Sequence, residues 1–223
     1  MESSISKSVS LFVLLIALAC GSIWAQNKAL SLDGDGDYVE IQEKNNALNL
    51  IGDKSIEAWI NPTTFERNLG ADQRILFKRI ATSGQNIYML TTDSNQDNGW
   101  FVWSVYDEGI EYRAHLTNFD FLENTWYHFT CTFNDTTKET KIYVNSELRA
   151  EGNQSDGAWL RGNETNLQLR IGVLNDNRGF FTGSIDEICI WNKLRTKAEI
   201  QATMNSSLTG KEEGLECMEN RES

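Results

Sequence analysis

Asp33, Asp35 and Asp37 alternate with Gly34 and Gly36. In a tight turn, carboxylates at that spacing can bring several oxygens to one centre. That is calcium chemistry, which uses roughly six to eight oxygen ligands from carboxylates and backbone carbonyls. The run is not an EF-hand loop. Counted from Asp33, its sixth position is Tyr38 rather than glycine, and its twelfth is Lys44 rather than glutamate. A second acidic run, from Asp93 through Asp97 to Gly99, fails in the same way, with Ser104 at the twelfth place. The competing reading of Asp33–Asp37 is a hairpin turn in which Asp and Gly serve backbone geometry alone.

Sugar binding is the second chemistry to consider. It needs an aromatic face for the C–H side of a pyranose and a few placed amides or carboxylates for its hydroxyls. Asp97, Asn98 and Trp100 form one candidate group. Trp103 has the opposite parity on the same strand, so it cannot share a ligand there with Trp100. The stretch 153–163, with Asp156 and Trp159, is a second group, and Asn175 and Asp176, followed by Asn177 and Arg178, form a third. For Trp100 and Trp159, core packing or loop anchoring competes with ligand contact.

Nucleophilic and metal-hydrolytic machinery is absent. There is no Gly-x-Ser-x-Gly, no His-Glu-x-x-His and no phosphate loop. With His115 and His128 as the only histidines, the chain offers little for a catalytic triad or a zinc site. Cys131 and Cys189 fall on predicted strands; they form either one bridge or two buried thiols.

These groups must be positioned by many short strands. Ser55–Asn61 sets Ile56, Ala58 and Ile60 against Glu57, Trp59 and Asn61, the two-residue period of a half-buried strand. Residues 126–133 set Tyr127, Phe129, Cys131 and Phe133 against His128, Thr130 and Thr132. Further strands are expected at 29–32, 38–41, 74–80, 86–92, 100–106, 110–116, 141–144, 167–171 and 180–191. Turn signals such as Asn134-Asp135 and Asp156-Gly157 separate them. One short helix is expected after Thr196, which has capping-box spacing to Glu199. Pro62, the single proline, falls at a strand end. The pattern is an all-β sandwich of one domain.

Residues 1–25 read as a secretory signal: Lys7, an apolar run from Val9 to Ala19, then small residues up to Ala25. The run is short of the roughly 20 residues a bilayer requires. The alternative is acylation at Cys20 of a lipoprotein. Either reading makes the mature chain secreted or attached to the cell surface. Its net charge of −12 disfavours nucleic acid and anionic membrane as partners. It leaves neutral sugars and calcium open, and on its own it also keeps an exported protein soluble.

Gly183-Ser-Ile-Asp-Glu-Ile-Cys-Ile-Trp-Asn192 resembles the C-terminal signature of LamG-like jellyroll domains, in the concanavalin A-like lectin/glucanase superfamily. Residues 29–41, 55–62 and 124–134 resemble other motifs of that family, in its order. The resemblance implies a two-sheet antiparallel jellyroll over residues 26–215. It implies that Trp59, Trp126 and Trp191 are core, and that terminal strands are neighbours. Asp186 could then join Asp33, Asp35 and Asp37 around one structural Ca2+, or could equally cap a turn. Glucanases of this fold carry Glu-x-Asp-x-x-Glu on one strand; this chain has none. Where related chains continue into another strand, residues 216–223 turn polar and read as a truncated or frayed tail. The function expected is an exported, non-catalytic module recognising an extracellular glycan, with structural calcium; the alternatives are a protein-interaction or adhesion module and, third, a glycan-active hydrolase.

Overall fold

The computed structural model describes residues 29–42, 47–66, 71–80, 86–93, 100–107, 110–117, 119–154, 167–174 and 178–219. In chain order the strands are β1 (Leu30–Asp33), β2 (Val39–Ile41), β3 (Lys54–Pro62), β4 (Arg74–Ile80), β5 (Asn86–Asp93), β6 (Trp100–Asp107) and β7 (Ile110–Leu116). They continue with β8 (Tyr127–Asn134), β9 (Glu139–Val144), β10 (Glu147–Gly152), β11 (Leu167–Ile171) and β12 (Thr182–Trp191). A helix, α1 (Lys197–Thr203), precedes the last strand, β13 (Leu215–Glu219). One sheet runs β1-β12-β3-β8-β9-β10, with β13 also on β12; the other runs β2-β11-β4-β5-β6-β7. All the pairings are antiparallel, so the architecture is the jellyroll sandwich the sequence implied.

Two-residue alternation builds the core. Ile56, Ala58 and Ile60 of β3 pair with Cys131, Phe129 and Tyr127 of β8, and all six are buried. Tyr88, Leu90, Phe101, Trp103 and Val105 from the second sheet join the same cluster. Burying each large side chain contributes about 1.5–3 kcal/mol. Trp103 also stitches the sheets together, its indole N–H donating to the Thr132 carbonyl at 3.0 Å.

On β12, Ile185, Ile188 and Ile190 all enter the core. The first two are three residues apart rather than two. An extra residue, Glu187, takes up the difference, and the register with β3 shifts between Asp186 and Cys189. This β-bulge keeps both isoleucines inside.

Cys131 and Cys189 are free and buried, so the disulfide alternative is corrected. Cys131 pairs with the core residue Ile56, whereas Cys189 pairs with Glu57 on the opposite face of the sheet. Strand β3 lies between them, so their side chains cannot meet. Residues 215–219, at the start of the expected polar tail, form β13, paired with β12 from Ile188 to Trp191. Backbone hydrogen bonding to an exposed edge makes that strand despite its polar sequence.

Helix α1 carries the expected capping box. Glu199 N–H donates to Thr196 Oγ1 at 3.3 Å, and Thr196 N–H donates to Glu199 Oε2 at 2.8 Å. That bond, the first among several, lowers the Glu199 carboxyl to about 2. Ile200 is the helix's buried residue.

Candidate functional site

The outward phase of β3 carries Glu57, Trp59 and Asn61. Two of these define rows that run across the seven-stranded sheet. Asp186, Trp59 and His128 are register partners in one row; Cys189, Glu57 and Thr130 are partners in the next. The Glu57 row is sealed. Arg195, just before α1, donates from Nε to Glu57 Oε1 at 2.6 Å and from Nη2 to Thr203 Oγ1 at 2.6 Å. Its guanidinium lies 4.0 Å from the centroid of the buried Trp191 ring. Burial raises the Glu57 carboxyl, and Arg195 only partly opposes this.

The Asp186 row is open. Trp59, Trp126, Asp186, Glu187, Asn205 and Ser206 line a cleft of about 620 Å³, a size suited to a small ligand. Trp126 is 39 % exposed. Trp59 is half-buried, and its indole N–H is fixed by donation to the Met204 carbonyl at 3.1 Å. Its ring meets His128 edge-on at 5.2 Å.

The bulge aims two carboxylates into this cleft. Asp186 Oδ1 accepts from the Glu187 N–H at 2.9 Å. Glu187 has a φ of 49°, in the left-handed region that strains a residue with a Cβ. It also falls where the edge of β12 changes partner, since β1 pairs as far as Ile185 and β13 begins at Ile188. Burial raises the Glu187 carboxyl, and the neighbouring negative charge of Asp186 adds to the effect.

Behind Glu187 is a small pocket of about 20 Å³, also lined by Glu57, His128 and Cys189. His128 is 3 % exposed. Its Nε2 lies 3.6 Å from Glu57 Oε2, and its Nδ1 has no hydrogen-bond partner. Burial pulls the ring down to about 4, so it is neutral at physiological pH.

The expected calcium ligands do not converge. Asp33 Oδ1 accepts from the Asp35 N–H at 2.7 Å, and Gly34 and Gly36 have φ of 82° and 97°, the marks of an Asx-type turn. Asp33 is opposite Thr182 in the ladder. Asp186 is four residues further along β12, about 13 Å at the usual strand rise. The terminal strands are neighbours as expected, but the register places Asp186 away from the turn. Among the described residues, no three His, Cys, Asp or Glu side chains form a group that could hold a metal ion. Of the sugar-binding candidates, Trp100 begins β6; Asp97, Asn98, Trp159, Asn175 and Asp176 lie outside the described residues.

Trp59 and Trp126 were assigned to the core and are not part of it; Trp191 is buried as expected. The available signal was phase. Trp59 shares the outward phase of Glu57 and Asn61, and Trp126 is out of step with Tyr127 and Phe129.

A family model described as Concanavalin A-like lectin/glucanases superfamily matches residues 33–201. The chain belongs to that superfamily. A search of curated proteins finds no match. Among solved structures, the chain is similar to a candidate carbohydrate binding protein from Bacteroides ovatus, with 20 % identity and a TM-score of 0.55. That alignment covers 82 % of this chain and 48 % of the other, so this chain spans about half of that protein. It is also similar to the CBM40 of Ruminococcus gnavus IT-sialidase bound to α2,3 sialyllactose, with 13 % identity, a TM-score of 0.57, and coverage of 78 % and 95 %. A third neighbour is domain 4 of AbnA, a GH43 extracellular arabinanase from Geobacillus stearothermophilus, in complex with arabinotriose. Its identity is 14 % and its TM-score 0.53, over 82 % of this chain and 81 % of that one. At these identities the shared property is the fold. Among the described residues, no helix is long and apolar enough to cross a membrane.

Proposed function

We propose that this protein is an exported, non-catalytic module that binds an extracellular glycan in the Trp59–Trp126 cleft. The observation that carries the reading is the cleft itself. It offers two indoles, one of them well exposed, beside two carboxylates, an exposed amide at Asn205 and the hydroxyl of Ser206. Aromatic faces with a few convergent polar groups are what sugar recognition needs. The neighbours that hold arabinotriose and sialyllactose support the reading, because they use the same fold for saccharides. Asp186 and Glu187 are consecutive residues, whereas glycoside hydrolysis uses carboxyl groups that flank the scissile bond; this favours binding without cleavage. Export rests on the Lys7, Val9–Ala19 and Ala25 pattern, which lies outside the described residues. Calcium has no part in the proposal, because the described donors do not converge.

The test is affinity electrophoresis through gels containing soluble polysaccharides. Retarded migration that is lost in Trp126→Ala supports the reading. A folded protein that is retarded by no polysaccharide overturns it in favour of a protein-binding surface, for which Leu122, 64 % exposed, would be the starting point.

A further inference from the structure

The carboxylates of the cleft differ from the acidic groups around it. Glu57 is matched by Arg195, Glu199 by Lys193, and Glu147 by Lys197. Asp186 and Glu187 have no such partner among the described residues, and no Lys or Arg lines the cleft. They are adjacent in sequence, partly buried, and held close by the bulge. Two like charges in a partly desolvated site repel each other, and the repulsion is relieved by a cation or by taking up a proton. The same cleft presents tryptophan faces, which attract cations through the ring quadrupole. A buried group in the adjoining pocket is also unmatched, since His128 Nδ1 has no partner. At about 20 Å³ that pocket has room for one water or one ligand hydroxyl.

Resting on the glycan-binding reading, we propose that the cleft selects a saccharide bearing protonated amino groups, with an ammonium seated against Asp186 and Glu187 and the sugar's C–H face on tryptophan. An anionic saccharide meets two uncompensated carboxylates and a chain of net charge −12. A neutral or N-acetylated one leaves the pair without a counter-charge. The amino sugar satisfies both halves of the cleft: charge-assisted hydrogen bonds to the carboxylates, and stacking on the indoles.

The experiment is calorimetric titration of the whole protein at mildly acidic pH and physiological salt. The probes are a glucosamine tetramer, its fully N-acetylated counterpart, cellotetraose, sialyllactose and spermidine. The expected result is that the glucosamine tetramer binds about tenfold or more tightly than the other saccharides. Asp186→Asn and Glu187→Gln should each reduce that preference, and Trp126→Ala should weaken all the saccharides together. Thermal unfolding of each variant confirms that it is folded. Equal binding of the N-acetylated or neutral tetramer overturns the charge selection and leaves the glycan reading intact. Spermidine binding as tightly as the glucosamine tetramer reduces the site to charge attraction and overturns the saccharide assignment. No binding of any saccharide by the folded protein removes both readings.

Discussion

Glu57 and Trp59 are two residues apart on one strand and point to the same side of the sheet, yet they belong to opposite environments. Around Glu57, Arg195 and helix α1 close over the sheet, and Glu57 is 4 % exposed. Around Trp59 the cover stops, and indoles and carboxylates face a cleft. The comparison teaches that strand phase decides which side chains leave the core. Only the elements laid across the outer face decide whether those side chains are buried structure or an accessible surface.

The sharpest way to break the comparison is at the sealed end. Arg195→Ala leaves the Glu57 carboxylate buried without its partner, and should cost about 3–5 kcal/mol in urea unfolding. A loss below about 1 kcal/mol would show that the helix is held by packing alone.

Acid should act on His128, which stands in the row of Trp59 with its ring edge towards Glu57. The folded-state value for His128 is about 4, below its ordinary 6.5. The unfolded chain therefore binds the proton first as pH falls. The stability involved is fully present above about pH 6.5 and is lost progressively down to about pH 4, a change of about 3 kcal/mol. Glu57 works in the opposite direction, because its raised carboxyl takes a proton in the folded state first. Chemical denaturation at several pH values would show the slope, and His128→Gln should flatten it.

At the open end, stability and binding should separate. Glu187→Gly relieves the left-handed backbone and should raise stability by about 1–2 kcal/mol, while removing one of the two carboxylates proposed to hold the ligand. A variant that is both less stable and equally good at binding would mean that the bulge is structural only. Thr196→Ala, which removes the helix cap, should cost about 1 kcal/mol in the same unfolding assay and leave binding at the cleft unchanged.

Much of the fold was legible. The strands of the two-residue period were expected within a residue or two of where they form. The Thr196–Glu199 cap was expected and is present. Two strands were missed for a physical reason. β10 is a charged edge strand and β13 a short polar one, and each depends more on the hydrogen bonds of its neighbour than on its own pattern. The bulge was readable in principle, because Ile185, Ile188 and Ile190 break the alternation once. The sequence-derived sugar-binding candidates Asp97, Asn98, Trp159, Asn175 and Asp176 lie outside the described residues, and the cleft was not among them. The tryptophans that line the cleft were given to the core on the strength of a resemblance, although their phase placed them outside.

By itself, the sequence determined which side chains alternate into the sandwich, where the helix begins, and that Trp59 leaves the core with Glu57. Those are local consequences of a two-residue period and of capping chemistry. The tertiary structure alone decided the rest. It set β1 against β12 in a register that parts Asp186 from the Asp33–Asp37 turn, put Cys131 and Cys189 on opposite faces of one sheet, and ended the cover of α1 between Glu57 and Trp59. Register and coverage depend on contacts between residues far apart in the chain, which no local pattern specifies.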